Sequence, residues 1–149
     1  MVSLVFLLLT SLVAVSAARS SASQEQMAGN LKHRNDSFQA AEAGLRLAEK
    51  HLGSHLADFP PCGGWACHPD ARIFDVDTAI DPGPGWTVLA PSLDTNGMTV
   101  WYQVFNLGTS SAALSLDALE EGTLFRIVVV AFRGTTRTVL EGVYVHRSA

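Results

Sequence analysis

The residues of this 149-residue chain best placed for chemistry lie in the segment Cys62-Gly-Gly-Trp-Ala-Cys67. Two thiols at this spacing can close a small disulfide, act as a redox pair or supply two metal ligands. A thioredoxin-type centre has two residues between its cysteines and a strand-to-helix setting, whereas four intervene here, in a stretch punctuated by Pro60, Pro61 and Pro69. A zinc site could enlist His68 and would still lack a fourth ligand. A disulfide between Cys62 and Cys67 is the expected state, with free thiols and a metal pair as the alternatives. Closing so short a loop stabilises a fold by at most about 2 kcal/mol, so the expected effect is to fix the loop and present Trp65.

The other candidates are weaker. His51 and His55 are four residues apart and share a helix face, but Leu52 stands where a zincin needs glutamate, and the expected reading is a solvated helix end favouring cationic side chains. Asp75, Asp77 and Asp81 suggest a calcium loop, yet Ala79 and Ile80 break the EF-hand pattern. No serine lies in a nucleophile elbow. The expectation is a chain with no catalytic residues, no metal, no cofactor and no small-molecule substrate.

Composition narrows the class further. The chain is 48% hydrophobic and 16% charged, with a net charge of −4, and its basic residues are scattered. It is too apolar to be disordered and has no basic stripe for phosphates, so nucleic acid is excluded as an expected partner. Much of the apolar weight lies in Met1 to Ala18, where 14 of 18 residues are apolar and none is charged. As a helix this run spans roughly 27 Å, close to the bilayer hydrocarbon thickness of about 30 Å. Val15-Ser16-Ala17 resembles a signal-peptidase site, but no basic residue precedes the run and the helical pattern continues beyond it, so a retained anchor is expected. The missing basic flank leads to the expectation of a short basic leader upstream of Met1.

From Arg19 to Leu52 there is no proline, and Met27, Leu31, Phe38, Ala41, Leu45, Ala48 and Leu52 follow one another at steps of 4, 7, 3, 4, 3 and 4. That spacing predicts one narrow apolar stripe on an amphipathic helix ending near Gly53, with Gly29 and Gly44 as soft points or sites of close packing. Phe38, Leu45 and Leu52 are expected in the core, and Met27 and Leu31 are expected to meet neighbouring helices. Arg34, Asp36 and Glu42 are expected on a solvated face. A proline- and glycine-rich loop follows over 58–70. Strands are expected at Arg72 to Asp77 (weak), Gly85 to Ala90, Met98 to Leu107, Leu124 to Phe132 and Thr138 to His146, with the last two joined as a hairpin through Arg133 to Arg137. Thr109 to Glu121 is read as loop. One long helix followed only by strands predicts an α+β fold, in which residues 1–18 form a transmembrane half-helix, 19–53 an amphipathic half and 54–149 a head with a small antiparallel sheet.

The helix carries a resemblance. Gln26-Met27-Ala28-Gly29-Asn30-Leu31, Arg34-Asn35 and Phe38-Gln39-Ala40-Ala41-Glu42-Ala43 with Leu45 resemble the signature of PilX-type minor pilins, and Leu124 to Ile127 with Val139 to Tyr144 resembles that family's closing hairpin. Gly29, Asn30, Arg34, Asn35, Gln39 and Glu42 are the motif positions, and Met27, Leu31, Phe38, Ala41 and Leu45 the expected packing positions. The resemblance implies a bacterial inner-membrane protein of the type IV pilus with a single span and a periplasmic head. It also implies trimming by a prepilin peptidase, and assembly with other minor pilins and a pilus-tip adhesin. Pilins of the shaft carry a glutamate near the start of the mature helix, and this chain has no acidic residue before Glu25. An unpaired charge is costly in lipid, so the expected position is at or near the tip. A type II secretion pseudopilin and a secreted binding domain with a cleaved signal peptide are the alternatives.

Overall fold

The computed structural model describes residues 2–75, 83–89, 95, 97–110 and 122–147. One helix, α1, runs from Val2 to Ser54 without interruption. Three short 3-10 turns follow, at Leu56–Asp58, Gly64–Cys67 and Ala71–Phe74, and then strands β1 (Thr87–Val88), β2 (Thr99–Ser110), β3 (Gly122–Arg133) and β4 (Thr136–Arg147). The strands form one sheet in the order β1-β2-β3-β4, every neighbouring pair antiparallel. The architecture is the expected α+β arrangement of a long apolar N-terminal helix and a small antiparallel sheet.

The chain divides into two compact units, Met1–Asn35 and Asp36–Ala149. The first is helix throughout, and its described residues are exposed. In the second, the remainder of α1 lies on one face of the sheet. Ala40, Ala41, Ala48 and Leu52 are buried with Val100, Tyr102, Phe125, Ile127, Val129 and Ala131. The contact line on the helix is made of small residues, because the sheet approaches closely. A Cβ added at Gly44 would stand 2.7 Å from Val100 Cγ1 and 2.8 Å from Val129 Cγ1. Of the three large residues expected in this core, Leu52 is fully buried and Leu45 packs half-buried beside Gly142, but Phe38 is 45% exposed. Phe38 lies off the line Ser37, Ala41, Gly44, Ala48, Leu52, and that line is where the sheet touches. At its start the Ser37 and Thr138 hydroxyls, one on α1 and one on β4, are hydrogen-bonded at 2.6 Å.

Side chains alternate across a strand, so Val128 and Val130 face away from α1. They are buried nonetheless, in a second cluster with Phe105 and Ile73, flanked by Trp86, Phe132, Val139 and Cys62. β3 is therefore covered on both faces, which matches its nearly continuous apolar run.

Over its described residues, 72–75, the weak strand expected at Arg72 to Asp77 is not formed. Ala71–Phe74 is a 3-10 turn, started by the Asp70 carboxylate, which accepts from the Arg72 backbone N–H. A capping carboxylate satisfies a backbone donor at once, and here it outweighs the strand propensity of a single isoleucine and phenylalanine. β2 extends to Ser110, so Thr109 and Ser110 are strand rather than loop; residues 111–121 lie outside the described residues, as do Asp77 and Asp81.

Candidate functional site

Two surfaces could carry function, and each lies within one unit. The first is the N-terminal part of α1. Val2, Leu4, Val5, Phe6, Leu7, Leu8, Leu9, Leu12, Val13 and Val15 are exposed large apolar residues, and Met27 (61%) and Leu31 (66%) continue the exposure. Thr10 and Ser11 turn their hydroxyls back to the carbonyls of Leu7 and Leu8, so neither presents an unsatisfied donor to an apolar surrounding. Among the described residues α1 is the one helix long and apolar enough to cross a membrane. Of the motif positions, Gly29, Asn30, Arg34, Asn35 and Gln39 are exposed and Glu42 is half-buried.

The second surface is the turn-rich segment after α1. Cys62 and Cys67 form a disulfide. Asn106, which is not among the expected functional residues, holds this loop to the sheet. Its carboxamide donates to the Phe59 carbonyl at 2.8 Å and accepts from the Gly108 N–H at 2.9 Å, while its backbone carbonyl accepts from the Cys62 N–H at 2.9 Å. The register of β2 against β3 shifts between Asn106 and Gly108, and Gly108 has φ 89°, a conformation natural to glycine. An asparagine two residues before a glycine inside an aromatic strand was the available signal. Arg126 on β3 holds the other end, donating from Nη1 to the Cys67 carbonyl at 3.2 Å and to His68 Nδ1 at 3.4 Å. Its Nε lies 2.9 Å from Glu141 Oε1, an ion pair whose angle falls short of a hydrogen bond. The loop thus pinned leaves Trp65 90% exposed.

Of the two histidines expected at a solvated helix end, His55 is exposed and His51 is not. His51 is half-buried, its Nδ1 3.1 Å from the hydroxyl of buried Tyr102, and its ring packs edge-on against Phe59. His55 packs on His51 with ring centroids 4.6 Å apart. Among the described residues no group of three or more histidine, cysteine or acidic side chains is placed to hold a metal ion. The Asp75 carbonyl accepts from Arg137 Nη1, as does that of Ile73 at 3.0 Å, tying the third 3-10 turn to β4. The Arg72 guanidinium beside Asp70, with the backbone N–H of Arg72, holds the Asp70 carboxyl at about 2, below the usual 3.8.

The apolar, exposed N-terminal part of α1 is consistent with membrane anchoring. Residues 1–46 match the family model PilX N-terminal, which supports a PilX-type pilin and indicates a minor pilin related to the type IV pilus. That family is structural rather than enzymatic. No curated protein and no solved structure matches the chain.

Proposed function

We propose that this chain is a minor pilin that takes part in priming type IV pilus assembly and in forming the tip complex, and so in twitching motility and adhesion. The observation that carries the reading is the agreement of two features over one stretch: the family match covers 1–46, and the same stretch supplies the exposed apolar part of α1. Residues 1–18 would hold the subunit in the inner membrane, residues 19–53 would continue as the periplasmic half of the helix, and the head over 54–149 would face the periplasm. On assembly the apolar positions, with Met27 and Leu31, would pack on other minor pilins. Small residues such as Ala14, Ala17 and Ala18 permit close approach between helices. The absence of an acidic residue before Glu25 favours a place at or near the tip, beside the adhesin, over one within the shaft.

Deleting the gene and counting surface pili and twitching zones tests the role. Loss of piliation, restored by the intact gene, is the expected result; full piliation in a strain without a second copy defeats it. Loss of protein secretion with normal pili would instead identify a type II secretion pseudopilin. A mature N-terminus beginning after Ala17 would remove the anchor, and with it the pilin reading.

A further inference from the structure

The head carries a contiguous group of side chains that the helix-based reading does not use. Trp65 stands 90% exposed in the Gly64–Cys67 turn, with the His68 ring 5.8 Å away and tilted against it. His68 meets Arg126, and Arg126 meets Glu141, so an indole, an imidazole, a guanidinium and a carboxylate from the loop, β3 and β4 follow one another in contact. Val143, directly opposite Arg126 in the β3–β4 register, adds an exposed apolar neighbour.

We propose that this array is a binding surface for a neutral glycan built of hexopyranose units. A pyranose ring has an apolar face of C–H bonds, which stacks on an indole, and a rim of hydroxyls, which pair with planar polar side chains such as guanidinium, carboxylate and imidazole. Those are the groups present. Charge selects the neutral sugar: Arg126 is balanced by Glu141, so this ion pair offers no net positive charge to an anionic glycan or a phospholipid headgroup. The backbone of the platform is fixed in advance. The disulfide, the Asn106 carbonyl on the Cys62 N–H and the Arg126 bond to the Cys67 carbonyl hold the turn, so little backbone ordering remains to oppose binding. This inference goes beyond the pilin reading and does not depend on it.

The test uses the full chain in detergent, on an array of neutral gluco- and galacto-oligosaccharides together with their sialylated counterparts, followed by titration with soluble lactose and cellohexaose. Neutral glycans are expected to bind. Trp65→Ala is expected to weaken binding at least about tenfold while Trp65→Phe retains part of it, and Glu141→Gln, which leaves the Trp65 ring itself in place, to weaken it severalfold. Intact-mass measurement of the disulfide and an unchanged melting temperature separate these effects from misfolding. Three results overturn the proposal: no neutral glycan bound at millimolar concentration, binding equal in Trp65→Ala, or binding confined to sialylated glycans. Crosslinking from position 65 to a co-expressed minor pilin, with no glycan bound, would assign the patch to protein contact and also overturn it. The glycan outcomes do not bear on piliation, so failure of glycan binding leaves the proposed assembly role to its own test.

Discussion

The two parts of α1 are one helix by hydrogen bonding and two by packing. Val2 to Asn35 holds the large apolar residues and exposes them, whereas Asp36 to Ser54 buries mainly alanine, glycine and serine with a single leucine. Size and burial run opposite to the usual expectation because the sheet approaches the second part so closely around Gly44 that small side chains fill most of the contact, and Leu52 fits only near its end. The large residues of the first part are exposed among the described residues, and burial in lipid or against other helices would stabilise them.

The contrast is sharpest between two leucines. Leu52 is fully buried beneath the sheet, so Leu52→Ala is expected to cost about 2–5 kcal/mol of head stability, read as a drop in denaturation midpoint with unchanged slope. Leu31 is 66% exposed, and Leu31→Ala should leave the same midpoint where it was while reducing pilus number in cells. A matching loss of head stability from Leu31→Ala would erase the distinction between the two parts.

Two glycines probe it at smaller amplitude. Alanine at Gly44 would push a methyl against Val100 and Val129, both buried and unable to yield, and overpacking of about 1–3 kcal/mol should exceed the gain in helix propensity of about 1 kcal/mol. Nothing lies within 4 Å of a Cβ added at Gly29. Gly29→Ala should therefore raise helicity and slow proteolysis of the first part, by an amount corresponding to about 1 kcal/mol. Opposite signs for the same substitution on one helix are the expected outcome, read by circular dichroism and limited digestion in detergent.

How far these features could be read in advance depended on how local their causes were. The end of α1 at Ser54, the long strands and the β3–β4 hairpin followed from periodicity and from the Gly134-Thr135 turn, which are properties of short windows. The placement of Phe38 did not, because which side of a helical stripe meets a sheet depends on how near the sheet comes. The Asp70 cap was visible in principle, but Ile73 and Phe74 drew the reading toward a strand. Asn106 acts across 44 residues on Cys62, and the Arg126 contacts join β3 to residues nearly 60 positions away. No periodicity encodes pairings of that range. The disulfide was legible because its cysteines are the only two in the chain and lie five positions apart.

Removing that bridge ranks next. The double substitution Cys62→Ser with Cys67→Ser should lower head stability by no more than about 2 kcal/mol, since the closed loop is short, and should leave α1 helicity unchanged. A larger loss would mean that the loop organises the second cluster, where Cys62 lies beside Ile73 and Phe105, rather than resting on it.

The smallest effect separates the regions by charge. Asp70 has its carboxyl lowered from 3.8 to about 2 by Arg72, so its contribution to the folded state is present above pH 3.8 and is lost as pH falls from there toward 2. The pair is solvent-exposed, which keeps the effect local to the Ala71–Phe74 turn. Asparagine keeps a capping oxygen but cannot ionise, so Asp70→Asn should preserve the turn at neutral pH and abolish its acid step, while Asp70→Ala should loosen the turn at every pH. Carboxyl and amide chemical shifts followed from pH 5 to pH 2 read both outcomes. No acidic residue precedes Glu25, so the same titration should pass the first 24 residues of the chain without any carboxyl step. A change between pH 4 and pH 2 in the amide shifts of residues 2–18, more than a helical turn before Glu25, would show that the head's ionisation reaches the exposed part of the helix, and the division of α1 into two independently packed parts would fail.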